Sequence, residues 1–354
     1  MYYTDKNVEN LYRIFDQNSR KDYLRLDLNE NPGGLPLPFI KEVLNKVDVR
    51  FISQYPETLE FSEVLANYLG TDISHICLVN GSAEGIRNII QGFTSPGGKI
   101  VGVVPSYFMF QVYSEMFGRN FVGVNYNEDL SINIDNIIKE ITPDTQLLIL
   151  LNPNNPMGNV YSEDEFVKIL NKAEKNEVNV LIDEAYHYFY PKTFVKYALN
   201  REHIFVTRTF SKLFSLAGCR LGYVVGWPEG IKIVQKLCCP HNTNAFAMLF
   251  AEEMIKRPEL IKQLENDFHE GREYLIKALN KYNYSHQGEE GNFIFIKPKT
   301  NPDVIVERMK KEKKILIKSY AGIGSFGKCL RVSIGAKQYM ELFVNALLEI
   351  DKED

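Results

Sequence analysis

The stretch from residue 147 to residue 182, LLILLNPNNPMGNVYSEDEFVKILNKAEKNEVNVLI, places one short apolar run on each side of a helical pattern. Leu147–Leu151 is continuously apolar and Val178–Ile182 is apolar except at Asn179, a pattern typical of the buried strands of parallel sheets. Between them, Glu163–Lys175 has apolar residues at helical spacing, namely Phe166, Ile169, Leu170 and Ala173. A strand, a helix and a second strand in this order are the repeating unit of an α/β fold.

Similar patterns extend outward from this unit in both directions. Further apolar runs predict strands at Ile76–Val79, Ile100–Val104, Ile204–Val206 and Leu221–Val225. After about residue 240 the pattern changes, and it predicts helices at Asn244–Ile255, Pro258–Leu279 and Gln338–Glu349 with strands at Asn292–Ile296, Ile315–Lys318 and Leu330–Ile334. We therefore predict an α/β fold with a mostly parallel sheet flanked by helices, followed by a smaller α+β domain.

Composition excludes several classes of protein. The 354 residues include 41 Lys and Arg against 45 Asp and Glu, and a net charge of −4 argues against a nucleic-acid binder. No apolar run approaches the roughly 18 residues of a membrane span, and MYYTDKNVEN at the N-terminus shows no signal-peptide pattern. The five cysteines form no CxxC pair, which favours a reducing, cytoplasmic location. The six histidines lack metal-ligand spacing, so we expect no metal site.

Polar residues follow several predicted strands, at the sheet edge where α/β proteins bind ligands. Asn80–Gly85 combines small residues with a helix start; its backbone amides could bind an anion, or Ser82 could simply cap the helix. Asp183 ends one strand and either faces the ligand crevice or caps a helix. Asn155, in the loop after Leu147–Leu151, could reach the same crevice.

The segment with the most reactive groups is Thr207–Gly222, TRTFSKLFSLAGCRLG. Thr209, Ser211 and Lys212 stand within four residues, and Arg220 follows. A lysine in a partly buried pocket can lose its proton and act as a nucleophile. Hydroxyl groups together with an arginine can bind an anion.

Taken together, these motifs resemble those of fold-type I pyridoxal-phosphate aminotransferases, and are most similar to the histidinol-phosphate aminotransferase subgroup. The resemblance covers most of the chain in the family's order, through segments 26–32, 54–57, 81–86, 105–107, 152–158, 183–186, 208–222, 291–293 and 330–335. It implies a large cofactor-binding domain at residues 45–245, a small domain at residues 1–44 and 246–354, and pyridoxal 5'-phosphate as cofactor.

The resemblance also assigns roles around that cofactor. Lys212 would bind it covalently and then move a proton, and Asp183 would hold the pyridine nitrogen protonated. Tyr186 and Asn155 would hydrogen-bond its phenolic oxygen, and Tyr107 would stack on the ring. The phosphate would be held by a larger set: Ser82, Ala83, Glu84, Thr209, Ser211 and Arg220.

Other residues are implied for the subunit interface and the substrate. Tyr55 would reach the cofactor phosphate of the neighbouring subunit, which predicts a homodimer with shared active sites. Arg331 would bind the carboxylate of the amino donor, and Asn29 and Lys318 would also meet the substrate. The expected reaction moves an amino group between glutamate and a small phosphorylated oxo compound, either imidazole-acetol phosphate or the oxo form of another aminoalcohol phosphate.

Two departures from the subgroup pattern leave alternatives open. Met157 stands where threonine is usual, and Lys318 stands where arginine is common; a lysine is a point charge without the bidentate fork of arginine. Met157 should change only the packing of its loop, whereas Lys318 leaves the substrate open. A decarboxylase of a phospho-amino acid, similar to threonine-phosphate decarboxylases, is the first alternative, and a regulatory or interaction protein on this fold is the non-enzymatic one. Gly322–Gly327 matches GxGxxG, but a strand rather than a helix is predicted after it, so we interpret it as a flexible glycine loop near Arg331.

Overall fold

The computed structural model describes residues 3–12, 19–288 and 290–352, and its strands form three sheets. The remaining residues of the predicted small domain lie outside the described part of the chain. The strands, in chain order, are β1 (Leu24–Arg25), β2 (Ile76–Val79), β3 (Lys99–Val104), β4 (Asn120–Asn125), β5 (Thr145–Leu151), β6 (Asn179–Asp183), β7 (Ile204–Thr209), β8 (Gly222–Gly226), β9 (Ser285–Gln287), β10 (Phe293–Lys297), β11 (Ile315–Leu316), β12 (Lys318–Ile323) and β13 (Gly327–Ser333).

A seven-stranded sheet with the order β2-β8-β7-β6-β5-β3-β4 forms the centre of the molecule. Its neighbouring strands pair in parallel except at β8, which runs antiparallel to both β2 and β7. This confirms the predicted mostly parallel sheet. The register places Asp183 opposite Leu151 on one side and Thr207 on the other, so the carboxyl ends of β5, β6 and β7 meet at one edge.

Some helices pack on the large sheet, and others, such as Pro302–Arg308, pack on the strands of the C-terminal part. They are α1 (Lys6–Glu9), α2 (Leu37–Leu44), α3 (Val49–Ser53), α4 (Leu59–Leu69), α5 (Ser82–Phe93), α6 (Met109–Met116), α7 (Ile134–Glu140), α8 (Glu163–Lys175), α9 (Val195–Asn200), α10 (Pro228–Leu237), α11 (Ala245–Ile255), α12 (Pro258–Lys281), α13 (Pro302–Arg308) and α14 (Lys337–Ile350). The start of α8 is fixed by a capping box between Ser162 and Glu165. Its apolar face then packs into the core, as the sequence predicts.

Two small sheets follow the large one. Strands β12-β13-β10-β9 form an antiparallel sheet, and β1 pairs in parallel with β11. Through this pairing Leu24 lies beside Ile315 and Arg25 beside Leu316. The segment before residue 30 is therefore attached to the C-terminal part of the chain.

The glycine motif forms part of a β-hairpin. β12 extends to Ile323, a 3-10 turn spans Gly324–Phe326, and β13 starts at Gly327. Because a strand follows the motif, it lacks the helix start on which dinucleotide binding depends. A second apolar cluster anchors the hairpin, with Met157 packed beside Leu130, Phe295, Ile323, Phe326 and Cys329.

None of the helices among the described residues is both long enough and apolar enough to span a lipid bilayer.

Candidate functional site

The sequence-predicted residues gather in one cavity at the carboxyl edge of the large sheet. Ten of them line it: Ser82, Ala83, Tyr107, Asn155, Asp183, Tyr186, Thr209, Ser211, Lys212 and Arg220. The wall is completed by Leu28, Glu30, Leu151, Ala185 and Ala217. Five further candidates, Asn29, Tyr55, Glu84, Lys318 and Arg331, lie outside this lining.

Lys212 has the properties of a reactive amine. Its Nζ donates a hydrogen bond to the Leu28 carbonyl at 2.9 Å and lies 5.7 Å from the centre of the Tyr186 ring. Burial, and then the nearby Arg331 charge, lower the pKa of Lys212 to about 8, while Glu30 opposes this shift. A minor fraction of the side chain is therefore neutral near pH 7, far more than for an ordinary lysine, and this fraction can act as a nucleophile or base.

Asp183 is a buried carboxylate at the end of β6. Its Oδ1 accepts hydrogen bonds from the Ala185 amide at 3.1 Å and from the Thr207 hydroxyl at 3.2 Å. Burial raises the pKa of Asp183 to about 7, and these hydrogen bonds oppose the shift only in part. A cation placed beside this carboxylate would restore its charge, as a protonated ring nitrogen would.

A candidate anion site lies between the loop before α5 and the loop after β7. Gly81 precedes α5 with φ of 72°, and Ser82 and Ala83 in the first turn of that helix line the cavity. Amides in a first helical turn have no partner within the helix and are available to an anion. Across the gap, the Arg220 Nη1 donates to the Ser211 hydroxyl at 3.1 Å, and the Thr209 hydroxyl donates to the same oxygen at 2.9 Å.

The approach between these loops depends on the absence of side chains. A Cβ on Gly81 would lie 2.3 Å from the Arg220 guanidinium. A Cβ on Gly222 would lie 2.5 Å from the Ser82 amide nitrogen. Amides, hydroxyls and a guanidinium brought together in this way suit a phosphate ester. With Lys212 and Asp183 in the same cavity, the donor set fits pyridoxal 5'-phosphate.

Glu84 is used differently from the expectation. Its backbone amide donates to the Gly81 carbonyl at 3.1 Å. Its carboxylate accepts hydrogen bonds from the Asn80 amide at 2.6 Å and from the Asn242 side chain at 2.7 Å. The side chain therefore ties the loop before α5 to the segment after α10, and a phosphate contact from its amide stays a prediction.

The N-terminal segment contacts the cavity from the other side. Asn29 is buried, with φ of 58°, and its Nδ2 donates to the Tyr186 hydroxyl at 2.9 Å. Asn292, which the sequence analysis did not single out as a site residue, holds this position by donating to the Asn29 carbonyl at 3.0 Å. These bonds join residues 157 and 263 positions apart, so no local sequence pattern could reveal them.

Arg331 and Lys318 form a pair of adjacent cations. They face each other across β12 and β13. The Nη1 of Arg331 donates to Asn155 Oδ1 at 3.0 Å, its Nη2 donates to the Asp27 carbonyl at 2.5 Å, and its buried Nε has no hydrogen-bond partner among the described residues. Burial first, and then the Arg331 charge, lower the pKa of Lys318. Two cations this close favour a strongly negative ligand.

Tyr55 lies apart from the cavity of its own chain. Its side chain is 77% exposed, and its ring stacks on His241 with a centroid distance of 4.2 Å. A contact with a neighbouring subunit stays a prediction.

A buried ion pair behind the cavity was missed by the sequence analysis. The Glu184 carboxylate accepts hydrogen bonds from Arg208 Nε at 2.9 Å and Nη2 at 2.8 Å, and from the Phe194 amide at 2.6 Å. Because Glu184 follows Asp183 directly, these bonds fix the turn that presents Asp183 to the cavity. The signal available in the sequence was the acidic pair at a strand end.

Comparison with known proteins identifies the family of this chain. The family model for aminotransferase class I and II matches residues 21–347. A histidinol-phosphate aminotransferase of Caldanaerobacter subterraneus subsp. tengcongensis is 32% identical over 330 residues, 92% of each chain. One from Thermotoga maritima is 28% identical and covers 94% of this chain and 95% of its own.

Solved structures of aminotransferases have the same fold as this chain. The histidinol-phosphate aminotransferase from Clostridium acetobutylicum superposes with a TM-score of 0.80 at 27% identity, covering 93% of this chain and 99% of that one. The enzyme from Sinorhizobium meliloti in complex with pyridoxal-5'-phosphate has a TM-score of 0.86 at 21% identity, covering 99% and 98%. The chain belongs to the class I and II aminotransferases, and it is a pyridoxal-phosphate-dependent enzyme of fold type I.

Proposed function

We propose that this aminotransferase moves an amino group between glutamate and a small phosphorylated oxo compound, with histidinol phosphate and imidazole-acetol phosphate as the leading pair. The observation that carries the proposal is the pairing of Arg331 with Lys318 across β12 and β13. A phosphate monoester carries close to two negative charges near neutral pH, whereas a carboxylate carries one. The names of the curated relatives support the same substrate class.

Each residue has a separate task in this reaction. The bound cofactor supplies a ring that accepts electrons from the bond being broken. Asp183 provides the negative charge that keeps a ring nitrogen protonated. Lys212, whose pKa is lowered to about 8, holds or releases a proton at Nζ near neutral pH. Asn29 orients the Tyr186 hydroxyl at the cavity wall.

The substrate's anionic end would meet the two cations. The guanidinium of Arg331 can bind a carboxylate with two hydrogen bonds. Lys318 adds a second positive charge without that fork. Glutamate would therefore depend mainly on Arg331, and a phosphorylated substrate would depend on both residues.

We also propose a homodimer with shared active sites and a division of the chain into a cofactor domain, residues 45–245, and a small domain. The exposure of Tyr55 supports the first proposal, because most of its surface is open to contact with a second subunit. The pairing of β1 with β11 supports the second, because it ties residues before 45 to those after 245.

The proposed substrate is tested with Lys318→Ala, measured as kcat/KM for each half-reaction. A hydrogen bond to a charged group is worth roughly 1.5–3 kcal/mol. The value of kcat/KM should therefore fall roughly ten- to hundredfold for the phosphorylated substrate and much less for glutamate. Lys318→Arg should retain kcat/KM for the phosphorylated substrate. The matched control is Lys328→Ala, which removes an exposed lysine on β13.

Equal losses for both substrates in Lys318→Ala would contradict the proposed phosphate role. Carbon dioxide release without conversion of the cofactor to its amine form would instead identify a decarboxylase.

A further inference from the structure

Two cysteines outside the cavity stand in contact. The Sγ atoms of Cys77 and Cys238 lie 3.7 Å apart, although the residues are 161 positions apart in the sequence. Cys77 is buried in β2, and Cys238 is half-buried directly after α10. Neither residue takes part in the transamination described above.

The surroundings make the two thiols chemically unequal. The pKa of Cys238 is lowered, first because Cys77 hydrogen-bonds to its sulfur, and the Asn88 side-chain amide donates to the same sulfur at 3.4 Å. The hydrogen bond to Cys238 and burial raise the pKa of Cys77. Since the thiolate is the nucleophile in thiol–disulfide exchange, Cys238 is the thiol that reacts first.

We propose that Cys77 and Cys238 are a redox modification site that forms a reversible intramolecular disulfide with small disulfide oxidants such as oxidised glutathione. The Cys238 thiolate attacks the oxidant and forms a mixed disulfide, releasing one reduced thiol. Cys77 then attacks the Cys238 sulfur, forms the internal S–S bond and releases the second reduced thiol. The protein loses two protons and two electrons in total, and both electrons and both protons end on the two molecules of reduced thiol.

The disulfide would act on the loop before α5. An S–S bond is about 2.05 Å long, so the sulfurs must approach each other by more than 1 Å. Movement should fall on the half-buried Cys238 rather than on Cys77 within the buried β2. Asn242, four residues after Cys238, donates hydrogen bonds to the Leu78 carbonyl at 3.3 Å and to the Glu84 carboxylate at 2.7 Å. A shift of this segment therefore disturbs the helix start that presents Ser82 and Ala83.

This coupling rests on the proposed phosphate contacts of Ser82 and Ala83, whereas the disulfide itself does not. We expect the oxidised enzyme to release pyridoxal phosphate faster than the reduced enzyme. We also expect a reducing dithiol to restore the original rate.

The experiment treats the folded holoenzyme with oxidised glutathione, alkylates the remaining thiols and maps the peptides by mass spectrometry. The wild type should lose two thiols and yield a peptide linking Cys77 to Cys238. Cys77→Ala should stop at a mixed disulfide on Cys238, because the second thiol is missing. Cys238→Ala should form no internal link, and Cys239→Ala, which removes the exposed neighbour, should behave like the wild type.

The proposal is overturned if folded wild type reacts with glutathione at Cys239 while no link joins Cys77 to Cys238. It is also overturned if the link forms only after unfolding in urea. Because Cys77→Ala alters a buried site, circular dichroism should confirm its fold; if it is unfolded, the wild type, Cys238→Ala and Cys239→Ala decide the result. Equal cofactor release from oxidised and reduced wild type would overturn the coupling and leave the disulfide standing.

Discussion

Replacing Asp183 by asparagine should stabilise the cofactor-free protein while it impairs the enzyme. The carboxylate is 2% exposed, and burial raises its pKa from 3.8 to about 7. Asparagine has nearly the same shape and can still accept the hydrogen bonds from Thr207 and the Ala185 amide, but it carries no charge to bury. Without that charge, a ring nitrogen is no longer held protonated, so turnover should fall by orders of magnitude.

The size of the stability effect follows from proton linkage. Between pH 3.8 and about 7 the folded protein holds the Asp183 proton more tightly than the unfolded chain does. The free energy of unfolding therefore falls as pH rises through this range, by about 1.4 kcal/mol for each pH unit. Summed over the range, Asp183 destabilises the cofactor-free protein by roughly 4 kcal/mol above pH 7. The asparagine variant lacks this contribution.

The difference in the free energy of unfolding is measured by urea unfolding of both cofactor-free proteins. Both are studied at one protein concentration and from about pH 5 to about pH 8. The free energy of unfolding of Asp183→Asn should exceed that of the wild type by an amount that grows with pH and levels off above about pH 7. Asp129→Asn, at an exposed carboxylate whose pKa is lowered by Ser131, should show no such trend. If the free energies of unfolding of the wild type and Asp183→Asn change in parallel with pH, the reasoning is refuted.

Three further outcomes are expected. Glu184→Gln should lower the free energy of unfolding by about 3–5 kcal/mol, because it leaves the buried Arg208 charge unpaired; a loss within urea-titration error would contradict this. Borohydride should fix the cofactor to Lys212 in the wild type, and Lys212→Ala should show neither turnover nor attachment, whereas attachment at another lysine would show that the assignment is wrong. Mixing inactive Lys212→Ala with an inactive Tyr55→Ala variant should restore activity as subunits exchange, and an active monomer in dilute solution would exclude the shared site.

The strands of the large sheet could be predicted because their runs are almost entirely apolar. Ile76–Val79 was predicted with its observed ends, and Thr145–Leu151 and Asn179–Asp183 were each found within two residues. These strands are buried on both faces, so every position favours an apolar side chain. Edge strand β4, Asn120–Asn125, was missed because its partly exposed residues alternate only weakly.

The cofactor cavity could be predicted where its residues follow strands, whereas the long-range contacts made by the N-terminal segment could not. Asp183, Lys212 and Arg220 occur within recognisable local motifs. The contact of Asn29 with Tyr186 depends on the N-terminal segment crossing the molecule, which no short pattern encodes. The single strand predicted at Ile315–Lys318 was wrong, because β11 ends at Leu316 and a separate strand, β12, begins at Lys318 and continues to Ile323. The continuation was missed because the exposed residues and glycine after Lys318 have low strand propensity, although the strand pairs with β13.

The reversed direction of β8 has a consequence for how the cofactor is held. Gly222 at its start pairs with the last residues of β2 and β7, Val79 and Thr209. A parallel strand here would begin at the opposite edge of the sheet, about 17 Å away for five residues, and would need a long crossover to get there. The antiparallel direction instead lets the short loop 210–221 return along the same edge. Lys212 and Arg220 thus belong to one continuous loop, so a displacement of this loop would move the reactive amine together with the arginine that we expect to bind the cofactor phosphate.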